Sequence, residues 1–187
     1  MKYTVKNYFN YHSEIFKKID VSAIDKISEI IEKKFLSEKK IFTCGNGGSA
    51  YNASHYITDW NKFINLKLKK KFKGFCLNDN IGLVTAYSND ISYDKIFSEQ
   101  LKNLMDKDDL LICISGSGNS KNIINAVEYA NNLGADTIGI VGFDGGKLKK
   151  MSNYCVHVPS NDMQICEDIH LMIGHMIMKK ITDCEIF

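Results

Sequence analysis

Apolar residues follow two different rhythms along this chain. In the first forty positions they recur at helical spacing, most clearly at Val21, Ile24, Ile27, Ile30, Ile31 and Phe35. Ser22 and Asp25 are placed for a capping box at the start of that helix. An earlier helix, roughly residues 4 to 18, carries Tyr8, Phe9, Tyr11 and Phe16 on more than one face, which predicts cover on both sides, including cover by another subunit. From Lys40 the pattern changes to short apolar runs alternating with longer helical stretches. Strands are expected at Ile41–Cys44, Phe72–Cys76, Leu110–Ile114, Thr137–Val141 and Tyr154–Val158, with helices near 50–64, 93–105, 119–133 and 163–180. Gly134 falls where a helix C-terminal glycine belongs. Such alternation predicts an α/β fold: a parallel five-stranded sheet with helices on both faces, preceded by N-terminal helices. Ligands in such sheets bind at the carboxyl ends of the strands.

Two post-strand loops carry the candidate chemistry. The first reads Cys44-Gly45-Asn46-Gly47-Gly48-Ser49 and runs into a helix, so its glycines allow close backbone approach and Ser49 sits near free N–H groups. It matches neither a dinucleotide fingerprint nor a P-loop. The second reads Ser115-Gly116-Ser117-Gly118-Asn119-Ser120, again opening a helix, with Asn119 or Ser120 as its natural N-cap. Three hydroxyls and two glycines at a strand end make a nest for phosphate oxygens. Together the loops point to a ligand with one phosphate and one polyol end, a sugar phosphate.

Composition narrows the setting. With 187 residues, 44% hydrophobic and 25% charged, the chain suits one compact domain and not a disordered segment. A formal net charge of +2 calls for neither nucleic acid nor membrane as partner. The basic run Lys67, Lys69, Lys70, Lys71 and Lys73 reads as a solvated face and strand edge. Six cysteines without a C-x-x-C pair, several inside apolar runs, read as free thiols of a cytoplasmic protein. The N-terminus lacks the uninterrupted apolar core of a signal peptide.

The segments CGNGGSA with a following histidine, SNDISYDKIF, ISGSGNS and VPSND with EDIHLMIGH resemble, in order and spacing, the phosphoheptose isomerases of the SIS (sugar isomerase) family, across essentially the whole chain. The resemblance implies a flavodoxin-like single SIS domain over 1–187, with a helical oligomerisation segment at 1–38 and an α/β core at 39–187. It implies a homotetramer with sites at subunit interfaces, bound Zn2+, and conversion of D-sedoheptulose 7-phosphate to D-glycero-D-manno-heptose 7-phosphate for surface polysaccharide (lipopolysaccharide or capsule). By motif, Asn46, Gly47, Gly48 and Ser49 contact the sugar, Asn89 and Asp90 line the same pocket, and Ser115, Gly116, Ser117 and Ser120 hold the phosphate. The family usually has threonine at Gly116. His55, Asp59, Glu167 and His175 fall on metal or substrate positions, with Asp59 as base and His175 as acid/base. Asp59 replaces the family's glutamate and Glu167 its glutamine; Trp60 and Lys62 depart from the lipopolysaccharide-core enzymes and resemble a capsule-associated subgroup.

Spacing alone says less. His55 and Asp59, at i and i+4, share one helix face. Glu167 and His175 are eight residues apart, about 12 Å of rise and about 80° of rotation, so pattern does not place them in one site. His12, His157 and His170 read as structural, His170 as a satisfied core or interface residue. Two other readings stay open at this point: an isomerase of a shorter ketose phosphate, and a non-catalytic SIS module that binds a sugar phosphate or a protein.

Overall fold

The computed structural model describes residues 4–183; Cys184 lies outside them. Five strands form one parallel sheet: β1 (Ile41–Cys44), β2 (Gly74–Cys76), β3 (Leu110–Ser115), β4 (Asp136–Val141) and β5 (Tyr154–His157). Their order is β2-β1-β3-β4-β5, which puts the topological switch between β1 and β3, in register at Cys44 and Cys113. Expected and observed strands agree within a residue except at β2. There Phe72 leaves the sheet to stack on Phe35 in the core, and Asn61 occupies the strand edge by bonding Gly74 N–H and C=O at 3.1 and 3.0 Å.

Residues alternate between two apolar layers. Ile41, Leu110, Ile112, Ile114, Ile138 and Val156 face α1 (Val5–Phe16), α2 (Val21–Leu36), α3 (Gly48–Asp59) and α9 (Met163–Thr182). Phe42, Cys44, Leu111, Cys113 and Val141 face α6 (Ile96–Leu104), α7 (Lys121–Leu133) and α8 (Gly146–Met151). Strands buried on both faces are what a parallel sheet requires. The remaining described helices are the short α4 (Asn65–Leu68), α5 (Ile81–Asp90), a π-helical turn at Trp60–Ile64 and a 3-10 turn at Tyr93–Lys95.

Several local expectations are corrected. Asp20, not Ser22, caps α2: its carboxylate accepts from the Ser22 N–H at 2.9 Å and from the Ser22 hydroxyl at 2.6 Å. Asp25 instead pairs with Lys180 at 2.8 Å, tying α2 to α9. Ser120 occupies the N-cap position of α7, yet its hydroxyl makes no capping bond. Gly134 does close α7, at φ 82°. The five described cysteines are free thiols. Among the described residues no helix is long and apolar enough to cross a membrane.

Candidate active site

Both loops at the switch point line one cavity of about 300 Å3, bounded by residues 46–49, by Ser115, Gly116, Ser117 and Ser120, and by Met163 and Glu167 of α9. The N-cap residues of the helices that begin there, Gly47 of α3 and Ser120 of α7, make no side-chain capping bond, and in α7 Asn122 Oδ1 accepts only from the third N–H, that of Ile123, at 2.9 Å. Free N–H groups at the ends of two helices favour an anion between them. Asn78 pins the first loop by bonding both the N–H (3.1 Å) and the C=O (2.9 Å) of Gly45. Gly47 turns the chain at φ 55° and ψ −125°, a conformation open only to glycine. The second loop is stapled to the segment after β4: a Cβ on Gly118 would lie 2.1 Å from the Gly145 carbonyl, and the Leu148 N–H donates to Gly118 C=O at 2.9 Å.

The glycine at 116 has a local reason. A Cβ there would meet the Met163 sulfur at 2.5 Å, so methionine fills the volume that a side chain at 116 would take. Glu167 lies across the cavity against Gly48, where a Cβ would come within 2.3 Å of its carboxylate. Burial, and secondarily the neighbouring Asp168 charge, raise the Glu167 carboxyl above the usual glutamate range.

A second cluster lies further along the same two helices. His55 Nε2 and His175 Nε2 are 2.9 Å apart, and Asp59 Oδ2 is 3.3 Å from the first and 3.6 Å from the second. Among the described residues this is the one group of three or more such side chains whose donor atoms lie within 4.8 Å of one another. Two imidazole nitrogens and one carboxylate oxygen converge, and among the described residues no cationic side chain other than the histidines themselves is within salt-bridge reach of the Asp59 oxygen, a donor set that fits a divalent transition metal. Glu167 is not in this group: two helical turns separate it from His175, and it faces the cavity instead.

Asn89 and Asp90 do not line the cavity. They end α5 exposed to solvent, with the Asn89 amide bonded to Asp90 at 2.9 Å. The same segment reaches the site through Tyr93, whose hydroxyl donates to Asn46 Oδ1 at 2.9 Å. Asn122 of α7 exchanges two amide hydrogen bonds with Asn46, both 2.9 Å. Sequence reasoning missed both; the asparagine one residue into α7 was the available signal. His170 is fully buried on α9, and among the described residues neither ring nitrogen has a hydrogen-bond partner, so it is a core histidine but not a satisfied one. His12 contacts Asp168 at 3.3 Å, and His157 bonds the Phe143 carbonyl at 2.8 Å, both structural roles.

This sheet order, with glycine- and serine-rich loops meeting at its switch point, is the architecture of a SIS domain, and the SIS domain family model matches residues 7–142. The chain belongs to that family. Within it, the chain is 36% identical over 181 residues to a phosphoheptose isomerase of Aliarcobacter butzleri, covering 96% of this chain and 95% of that protein. Solved phosphoheptose isomerases superpose closely. That of Francisella tularensis has a TM-score of 0.88 at 26% identity, covering 97% of each chain. That of Neisseria gonorrhoeae has 0.88 at 28% identity, covering 96% of this chain and 97% of that one. The chain is a member of the phosphoheptose isomerase family, and so a sugar-phosphate isomerase.

Proposed function

We propose that this chain interconverts D-sedoheptulose 7-phosphate and D-glycero-D-manno-heptose 7-phosphate, in the cytoplasm, toward the heptose of lipopolysaccharide or capsule. The observation that carries the reading is the placement of the His55/Asp59/His175 cluster relative to the anion-binding cavity. From Gly48 to His55 is seven residues of α3, and from Glu167 to His175 is eight of α9, so each helix runs about 10–12 Å between the two. An extended seven-carbon sugar phosphate has a comparable length, which favours it over a five-carbon ketose phosphate. Its phosphate would rest on the loop 115–120 and its first two carbons would lie at the histidines.

The reaction moves a proton from C1 to C2 and another between the two oxygens. Asp59, partly buried and beside both imidazoles, is placed to take the carbon-bound proton and return it to the neighbouring carbon. His175 is placed to carry the oxygen-bound proton. Asn46, held by Tyr93 and Asn122, orients sugar hydroxyls, and Glu167 accepts from others. His55, Asp59 and His175 would hold zinc, which when bound polarises the C2 carbonyl and stabilises charge on its oxygen. Apolar side chains left exposed on α1 and α9, Phe9, Met172 and Met176, support assembly with further copies, a homotetramer on the family pattern.

The test is Asp59→Asn. It should lower turnover of sedoheptulose 7-phosphate by at least a hundredfold while leaving the size of the assembly unchanged. Normal turnover in that variant would remove Asp59 from the role of base.

A further inference from the structure

Two aromatic donors lock together the helices that carry the His/Asp cluster. The Trp60 indole N–H donates to the Gly174 carbonyl at 3.0 Å, and the Tyr56 hydroxyl donates to the His170 carbonyl. Donors four residues apart on one helix therefore meet acceptors four residues apart on the other. Each donor directly follows a cluster residue of α3: Tyr56 follows His55, and Trp60, the first residue past α3, follows Asp59. The second acceptor, Gly174, directly precedes His175.

The rest of the interface is built around these contacts. Both rings are buried, tilted at 33° with centroids 5.0 Å apart, and Phe72 closes on Trp60 edge-on at 5.9 Å. Gly174 admits the tyrosine ring, because a Cβ there would lie 2.1 Å from it. At Trp60 the chain passes into a π-helical turn, Trp60–Ile64, which keeps Trp60 and Ile64 both buried. Such turns occur mostly as single-turn bulges within α-helices, frequently at functional sites.

We infer that Trp60 is a positioning residue: its indole N–H, with the Tyr56 hydroxyl, fixes the register of α3 against α9 that brings Asp59 onto both histidines. A slip of one residue along either helix would move a side chain by about 1.5 Å and turn it by about 100°. That would disperse a cluster whose donor atoms stand 2.9–3.6 Å apart. The inference rests on the proposed function for its catalytic consequence, but the geometric claim stands apart from it.

Trp60→Phe tests it, since the ring remains and the donor is lost. Metal-free protein labelled with 15N in histidine reports the His55–His175 contact directly at one pH. The variant should shift the signals of both imidazoles and leave His157 unmoved. In the same variant zinc affinity should fall about tenfold and kcat at least tenfold, with KM within twofold. Unmoved imidazole signals together with unchanged zinc affinity and kcat would overturn the inference, even if the melting temperature fell. If the parent protein neither binds zinc nor turns over the heptose phosphate, the functional reading fails, and the imidazole spectra still decide the positioning claim. Should Trp60→Phe not fold, Tyr56→Phe removes the companion bond and is read by the same spectra and affinities, with the same outcomes.

Discussion

Among the described residues, Glu167 is the only ionisable side chain lining the switch-point cavity, which is otherwise walled by serines, glycines, Asn46 and Met163. Its carboxylate opposes an anion in the same space, and its raised pKa reports the cost of holding that charge there. Sulfate is a suitable probe because its own charge is constant over the relevant pH range. Binding to the parent protein should tighten as pH falls through the protonation of Glu167, above the ordinary glutamate range. Glu167→Gln should bind sulfate on the order of tenfold more tightly at neutral pH, with a flat pH profile. Equal affinity in both would place the anion away from Glu167. At this scale the sequence was legible where a motif maps onto one loop, as for Asn46–Ser49 and Ser115–Ser120, which meet at one cavity. It was not legible where the fold chooses among neighbours. Tyr93 reaches Asn46 while Asn89 and Asp90 stay in solvent, because the last turn of α5 points them outward and the turn that follows brings the tyrosine back.

Among elements, the α3–α9 pair decides whether the site exists. The pair approaches closely because Gly174 leaves room for Tyr56. Gly174→Ala should cost about 3 kcal/mol or more, since the Tyr56 ring is enclosed and has nowhere to retreat. Chemical denaturation checks this, and a cost below about 1 kcal/mol would show that the interface yields. Apolar periodicity made the core strands and α2, α7 and α9 legible, because residues buried on both faces of a parallel sheet read as continuous runs. Helices α5 and α8 were missed for a related reason. No residue of α5 is buried, and α8 buries only Leu148, so neither leaves a periodic apolar trace. The π turn after Asp59 was also hidden, since a one-residue widening barely changes the spacing from Tyr56 to Ile64.

For the molecule as a whole, the weak point toward acid is His170. Burial pushes its pKa down to about 4 from the ordinary 6.5, and the backbone near Val141 offsets this only in part. Between those values the unfolded chain binds a proton that the folded chain does not. Stability is therefore full above about pH 6.5 and is lost as pH falls toward 4, by about 3 kcal/mol from this residue. His170→Met should flatten the acid limb of the stability curve, whatever its stability at neutral pH; an unchanged limb would assign acid sensitivity elsewhere. At work, on the function proposed above, the molecule is a SIS-domain isomerase whose His55/Asp59/His175 cluster acts on the far end of a phosphate-anchored heptose. NMR observation of sedoheptulose 7-phosphate incubated with the protein, first with zinc and then after chelation, tests it most directly. Zinc-dependent appearance of the aldoheptose phosphate is the predicted result, and no conversion under either condition would contradict it.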